Sequence, residues 1–132
     1  MDVTTAIAVS GLNTASKRLE VSASNLANMD DSAPLPGSGI AGPAPFTPTR
    51  VSTVSLGAGG VQAQLSAANP ASTPAYQPDS PYADSSGMVA QPDVDPVNEL
   101  VGQMQAMQQY RASAALIEAD DKLQKTTLDL LR

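Results

Sequence analysis

Residues 95–131 run DPVNELVGQMQAMQQYRASAALIEADDKLQKTTLDLL, and this stretch decides the architecture. Asp95 precedes Pro96: an N-cap residue stands ahead of a proline whose fixed φ suits the first helical position and whose missing N–H is not needed there. After Pro96 there is no further Pro and a single Gly, Gly102. The pattern predicts one helix from there to Leu131. Its apolar stripe is Val97, Val101, Met104, Ala112, Ala115, Ala119, Leu123 and Leu130. The mean spacing, about 3.67 residues, is that of an eleven-residue repeat. It predicts a nearly straight helix rather than a left-handed heptad coil. Leu100, Met107, Leu116, Ile117 and Leu128 fall off the stripe and form a second apolar face. A helix with two such faces has more surface to bury than one partner helix covers, which implies a bundle of several chains.

The other end of the chain is predicted as a helix over residues 3–28. Leu12, Leu19 and Leu26 recur every seven residues, with Ala8, Ala15 and Ser22 at the complementary positions. This is an a/d stripe of helix–helix packing, and its small d residues admit a close neighbour. Asp2 or Thr4 occupies the N-cap place. Asn28, Asp30-Asp31, Pro34 and Pro36 end the helix. At 1.5 Å per residue it is about 39 Å long. The pattern alone equally permits an amphipathic helix docked on its own domain.

Between the helices the composition changes. Residues 30–93 hold ten of the eleven Pro and seven of the nine Gly, which divides the chain into an N-terminal helix (1–29), a Pro/Gly-rich middle (30–95) and a C-terminal helix (96–132). Within the middle, Val61-Gln62-Ala63-Gln64-Leu65-Ser66-Ala67 alternates with period two after the turn Gly57-Ala58-Gly59-Gly60. A β-hairpin pairing 47–56 with 61–67 is expected. Residues 30–45 and 68–93 are expected to be irregular loops. The fold class is therefore mainly α: long terminal helices paired as a coiled-coil-like hairpin, with a small β-hairpin and loops between them.

Composition explains why such a chain needs company. Of 132 residues, 21 are Ala; Leu, Ile, Val and Phe together number 26, and Trp is absent. Few large side chains remain for a closed core. With no Cys and no His, disulfides, thiolate nucleophiles and the commonest metal ligand are excluded. A net charge of −6 disfavours nucleic acid and anionic membranes as partners. No run is long enough to span a bilayer, and the N-terminus lacks the basic and apolar regions of a cleavable signal.

The residues also offer little chemistry. Asp30-Asp31 and Asp120-Asp121 are sequence neighbours that do not face one another, so they are expected to be solvated charge. Asp93, Asp95 and Glu99 suit the N–H groups and dipole of the last helix start better than a cation. No Lys-Ser/Thr follows Gly57–Gly60 as a phosphate loop requires. Met88, Met104 and Met107 read as adaptable packing. No catalytic, cofactor-binding or metal residue is assigned, and the chain is expected not to be an enzyme. One reading of these features is a non-polymeric secreted adaptor or effector with paired terminal helices.

Two blocks carry a resemblance. Ser22-Ala23-Ser24-Asn25-Leu26-Ala27-Asn28, preceded by Ser10-Gly11-Leu12 and Arg18-Leu19, resembles the N-terminal signature of the axial family of bacterial flagellar rod and hook proteins. Residues 76–95, YQPDSPYADSSGMVAQPDVD, are similar to a stretch of its proximal-rod branch. The residues matching the motifs are Asn25, Asn28, Tyr76, Pro78, Pro81, Asp84, Gly87, Pro92 and Asp95. Glu99-Leu100-Val101, Ala106 and Tyr110 also match the branch. The chain departs from it at Asp93, where Asn is usual, and in the helix at Gln108 and Ser113.

The resemblance implies a structural subunit of the basal-body rod. Such a subunit is exported unfolded through the flagellar type III apparatus without signal cleavage. It polymerises as a periplasmic helical array that transmits torque and encloses the export channel. Expected partners are other copies, other rod proteins and the export-gate adaptor at the rod base, with no small-molecule substrate. The expected assembly residues are Ala8, Leu12, Ala15, Leu19 and Leu26 on the first helix. On the last they are Val97, Val101, Met104, Met107, Ala112, Leu116, Leu123 and Leu130.

Overall fold

The structure is a computed structural model that describes residues 3–130. Helix α1 spans Val3–Ala27 and helix α2 spans Pro96–Leu130. Between them lie strands β1 (Thr49–Ser55), β2 (Val61–Ala67), β3 (Ser72–Tyr76) and β4 (Met88–Pro92). Asp2, one of the two N-cap candidates, and Leu131, the expected helix end, fall outside the described residues.

Strands claim more of the chain than the mainly α expectation allowed. β1 pairs with β2, and β3 pairs with β4 as a second two-stranded sheet. The second hairpin corrects the reading of residues 68–93 as loop. Pro74 sits within β3 opposite Ala90. Ala90 spends its own N–H and C=O on Ala33, at 2.8 and 3.0 Å, on the far side of β4. Both backbone groups of a strand residue point the same way, so Pro74 faces a position where no hydrogen bond is made and its missing N–H costs nothing. Ala33 in turn gives β4 a partial third neighbour within the expected 30–45 loop.

The chain resolves into two compact units. The first comprises residues 3–20, 51–64 and 101–130 of those described; the second comprises residues 21–50 and 65–100. In the first unit the covered residues are small: Ala8, Gly11, Thr14 and Ala15 of α1, with Ala106 and Ser113 of α2. In the second they include Val21, Ala33, Ala68, Val89 and Ala90, with Pro48 and Pro92. Val89 and Thr14 are the largest fully buried side chains. Each core is thus thin, as the shortage of large apolar residues requires.

Helix α2 starts where its sequence indicates. Asp95 Oδ1 accepts hydrogen bonds from the N–H groups of Val97 at 2.9 Å and Asn98 at 3.3 Å, which satisfies first-turn donors that have no helical partner. Farther along, Glu118 pairs with Lys122 and Asp121 with Lys125 at i,i+4 spacing. Each acid lies N-terminal to its base, the better orientation, at about 0.2–0.5 kcal/mol per pair.

Candidate assembly interface

Which face of each helix is covered determines what is left for other chains. On α1 the covered line is Ala8, Gly11, Ala15, Ser22 and Asn25, at spacings of three, four and seven. Leu12, Leu19 and Leu26 lie beside it, partly covered. Ala8 and Ala15, expected at an interface with other chains, are closed off by this chain itself, Ala15 at 0% exposure. Small residues win these places because they let backbones approach.

The first unit shows how close that approach is. A Cβ placed on Gly11 would stand 2.6 Å from Ser113 Oγ, inside contact distance. Thr5 Oγ1 donates to Asp120 Oδ2 at 2.7 Å. Asp120 is therefore not merely solvated charge; it ties α2 to α1. The first hairpin adds its own contacts. Arg18 Nη2 donates to Thr53 Oγ1 at 2.7 Å. Ser10 Oγ accepts from Val61 N–H at 3.1 Å. Gly60 sits over Ser10 with φ +90°, where a Cβ would stand 2.5 Å from that hydroxyl.

In the second unit Asn25 is the organising residue, 3% exposed. Its Oδ1 accepts from Thr49 N–H at 3.0 Å, and its Nδ2 donates to Thr49 C=O at 2.9 Å. The side-chain amide thus copies a neighbouring strand at the point where β1 begins. The same Nδ2 donates to Glu99 Oε1 at 2.7 Å, and Ser22 Oγ donates to Glu99 C=O at 3.1 Å. Glu99 stands in the first turn of α2, as expected for the helix dipole, and its carboxylate also reaches α1. Only an amide offers donor and acceptor in the plane of a peptide, which explains why Asn occupies position 25. Asn28 Nδ2 donates to Ser24 C=O at 2.7 Å and closes the end of α1.

The 76–95 block is the second hairpin and its exit. Asp84 Oδ1 accepts from Ser86 and Met88 N–H at 2.8 and 3.0 Å. Gly87 follows with φ +76°, where a Cβ would stand 2.8 Å from the Tyr76 ring and 3.2 Å from Pro78 Cβ. Asp84, Gly87, Tyr76 and Pro78 are therefore brought together in one turn. Pro81 is exposed in that connection, Pro92 is buried at the end of β4, and Asp95 caps α2.

What remains outside is apolar. On α2 the residues Val97, Val101, Met104, Met107, Leu116, Leu123 and Leu130 are all exposed, Met104 at 65% and Leu130 at 82%. Ala112 is exposed with them, as are Leu100 and Leu128. The line turned inward carries Ala106 and Ser113 instead. Exposed single apolar residues are ordinary, but a file of them along one helix marks an interaction surface. Thr5 escaped the sequence reading, and Gly11, Arg18 and Ser113 entered it only through the resemblance, because the pattern followed the large apolar residues. The 8–11–15–22–25 spacing of small and polar residues was the available signal.

Among the described residues no group of acidic side chains is arranged to hold a metal, and no helix is long and apolar enough to cross a membrane.

Two protein families match the chain. The family described as "Flagella basal body rod protein" matches residues 6–30. That described as "Flagellar basal body rod FlgEFG protein C-terminal" matches residues 85–130. The two matched segments contain both sides of the Asn25–Glu99 contact. Relatives are similar over nearly their whole length. Flagellar basal-body rod protein FlgC of Salmonella typhimurium is 33% identical, covering 94% of this chain and 92% of that protein. The Escherichia coli protein of the same name gives the same values. That of Agrobacterium fabrum is 30% identical over 96% of this chain and 91% of its own length.

Proposed function

Because the chain belongs to the FlgC family of flagellar basal-body rod proteins and is a structural subunit of that rod, we propose that it polymerises through its terminal helices. The observation that carries this reading is the exposed apolar file on α2 from Val97 to Leu130. The covered small-residue line of α1 supports a coiled-coil-like pairing of α1 with α2. That pairing leaves the large side chains for neighbouring copies and other rod proteins.

On this reading the subunit is a non-enzymatic part of the proximal rod. The rod is a periplasmic drive shaft that carries torque and encloses the export channel, and its base meets an export-gate adaptor. The subunit leaves the cell through the flagellar type III apparatus with its N-terminus uncleaved. The thin cores fit a chain whose ordering is completed by assembly. Nothing favours the alternative of a non-polymeric adaptor.

The test uses a strain lacking the gene, complemented with the wild type or with Met104→Asp/Met107→Asp. The wild type is expected to restore motility and to appear in purified basal bodies. The double variant is expected to be exported yet absent from them. Basal bodies of normal content built with the double variant would sink the assignment of α2 as the assembly face.

A further inference from the structure

The second sheet has two outer edges, and its hydrogen bonds show what each can offer to another strand. On β4 the backbone groups that face outward are those of Met88, Ala90 and Pro92, because Ala90 bonds Ala33 through both of its own and alternate residues of a strand point the same way. All three positions are closed. Met88 N–H donates to Asp84 Oδ1 at 3.0 Å, and its C=O accepts from Asp84 N–H at 3.0 Å. Pro92 has no N–H, and its C=O accepts from Val94 N–H at 2.9 Å. No donor is left on that edge for a further strand.

The edge of β3 is different. Thr73 and Ala75 face Gln91 and Val89 inside the ladder, so Ser72, Pro74 and Tyr76 present their backbone groups outward. Among the described residues none of these three makes a hydrogen bond on that side. Pro74 and Tyr76 are also exposed. An open edge of this kind pairs with strands of other molecules unless something prevents it, and charged side chains are a common guard. Here charge is missing: residues 51–78 contain no Asp, Glu, Lys or Arg. At the middle of the edge stands instead the one residue type that has no N–H to donate.

We propose that Pro74 is an edge guard that keeps β3 from pairing with β3 of a second copy. In an antiparallel pairing centred on position 74, the two central residues would exchange a pair of N–H···O=C bonds. Proline in both copies removes both bonds. Ser72 and Tyr76 could then meet only on either side of a gap. Sliding the register does not rescue the pairing, because Pro70 and Pro78 flank the strand and no more than three residues lie between successive prolines. The missing N–H of Pro74 lies on the side away from β4, so the guard leaves the sheet's own ladder intact. It acts on the second hairpin and does not depend on how the terminal helices assemble.

The test compares the purified full-length wild type with Pro74→Val and Pro74→Ala, each of which restores the N–H. Association is followed over a concentration series by sedimentation velocity, so that any contact made by the wild type is subtracted. Both variants are expected to associate at lower concentration than the wild type, Pro74→Val by roughly tenfold because two hydrogen bonds return and valine suits a strand. Hydrogen exchange in the associated form is expected to show new protection at Ser72 and Tyr76. Association of both variants at the wild-type level overturns the proposal. So does association by Pro74→Val alone, since the restored donor would then not be the cause, or association without new protection at Ser72 and Tyr76. A variant that loses protection at Val89 and Gln91 overturns it as well, because position 74 would then serve the ladder and not the edge.

Discussion

The two units of the chain meet the same shortage of large side chains to different degrees. The second unit turns some inward: Val21 and Val89 are buried with Ala33, Ala68 and Ala90, and Asn25 hydrogen-bonds three groups at its edge, while Leu65, Tyr76, Val97 and Leu100 stay exposed. The first unit turns them outward. Its covered residues are Ala8, Gly11, Ala15, Ala106 and Ser113, while Met104, Met107, Leu116 and Leu123 are exposed. Burial of a large apolar side chain contributes about 1.5–3 kcal/mol. The second unit collects part of that contribution within the chain, and the exposed side chains of both units can collect it only from neighbours. The lesson is that a scarce apolar composition need not mean a uniformly weak fold. It can be distributed so that one part closes a core of its own and the other leaves more of its large side chains to assembly.

The comparison breaks most sharply at Asn25. Asn25→Ala strands the Thr49 N–H and C=O and the Glu99 carboxylate in a covered site, each worth about 1–3 kcal/mol when unsatisfied. The expected loss is about 3 kcal/mol or more for the second unit, read by hydrogen exchange at residues 21–50 and 65–100 of the purified chain. Asn25→Asp keeps the volume and the acceptor but loses the donor and sets a carboxylate against Glu99. It is expected to be no better than Ala. An Asp variant with wild-type protection would show that volume, not amide pairing, holds the site.

Gly11 tests the first unit by the opposite change. Gly11→Val forces side-chain atoms against Ser113 Oγ, and overpacking of this kind costs about 1–3 kcal/mol. The expected result is loss of protection in residues 3–20 and 101–130, partly recovered by adding Ser113→Gly. No recovery in the double variant would mean that the cost lies elsewhere than in the close approach. A smaller loss, about 1–2 kcal/mol, is expected for Gly87→Ala, which combines φ +76° with a contact on Tyr76. It should be confined to the second unit.

How far the sequence disclosed this division varies by element. The helices were legible because Asp95-Pro96 and the Pro-rich stretch after Asn28 punctuate them chemically. Gly57–Gly60 and the alternation of 61–67 disclosed the first hairpin. The second hairpin was hidden because Pro74 counts as a breaker until its partner is known; only the tie between Ala90 and Ala33 makes that position tolerant. The direction of the helix faces was hidden for a related reason. Apolar periodicity normally marks the buried side, and here on α2 the side turned inward is Ala and Ser while the apolar side is open. Asn25 and Asn28 were singled out by resemblance, but their work as a strand mimic and a helix stop is visible only in three dimensions.

The smallest expected effect is the most discriminating. Leu123→Gln removes an apolar side chain that already stands 67% exposed, so little burial is lost within the chain. Surface substitutions of this kind stay within about 0.5 kcal/mol. The purified variant should therefore match the wild type in hydrogen exchange and in helix content by circular dichroism. In the rod the same position is expected to lose its apolar neighbour, and recovery in basal bodies should fall by several-fold. If Leu123→Gln destabilised the isolated chain as much as Gly11→Val, the outer face of α2 would be serving the chain's own fold. The contrast between a unit that buries large side chains and one that leaves them to its neighbours would then fail at its clearest point.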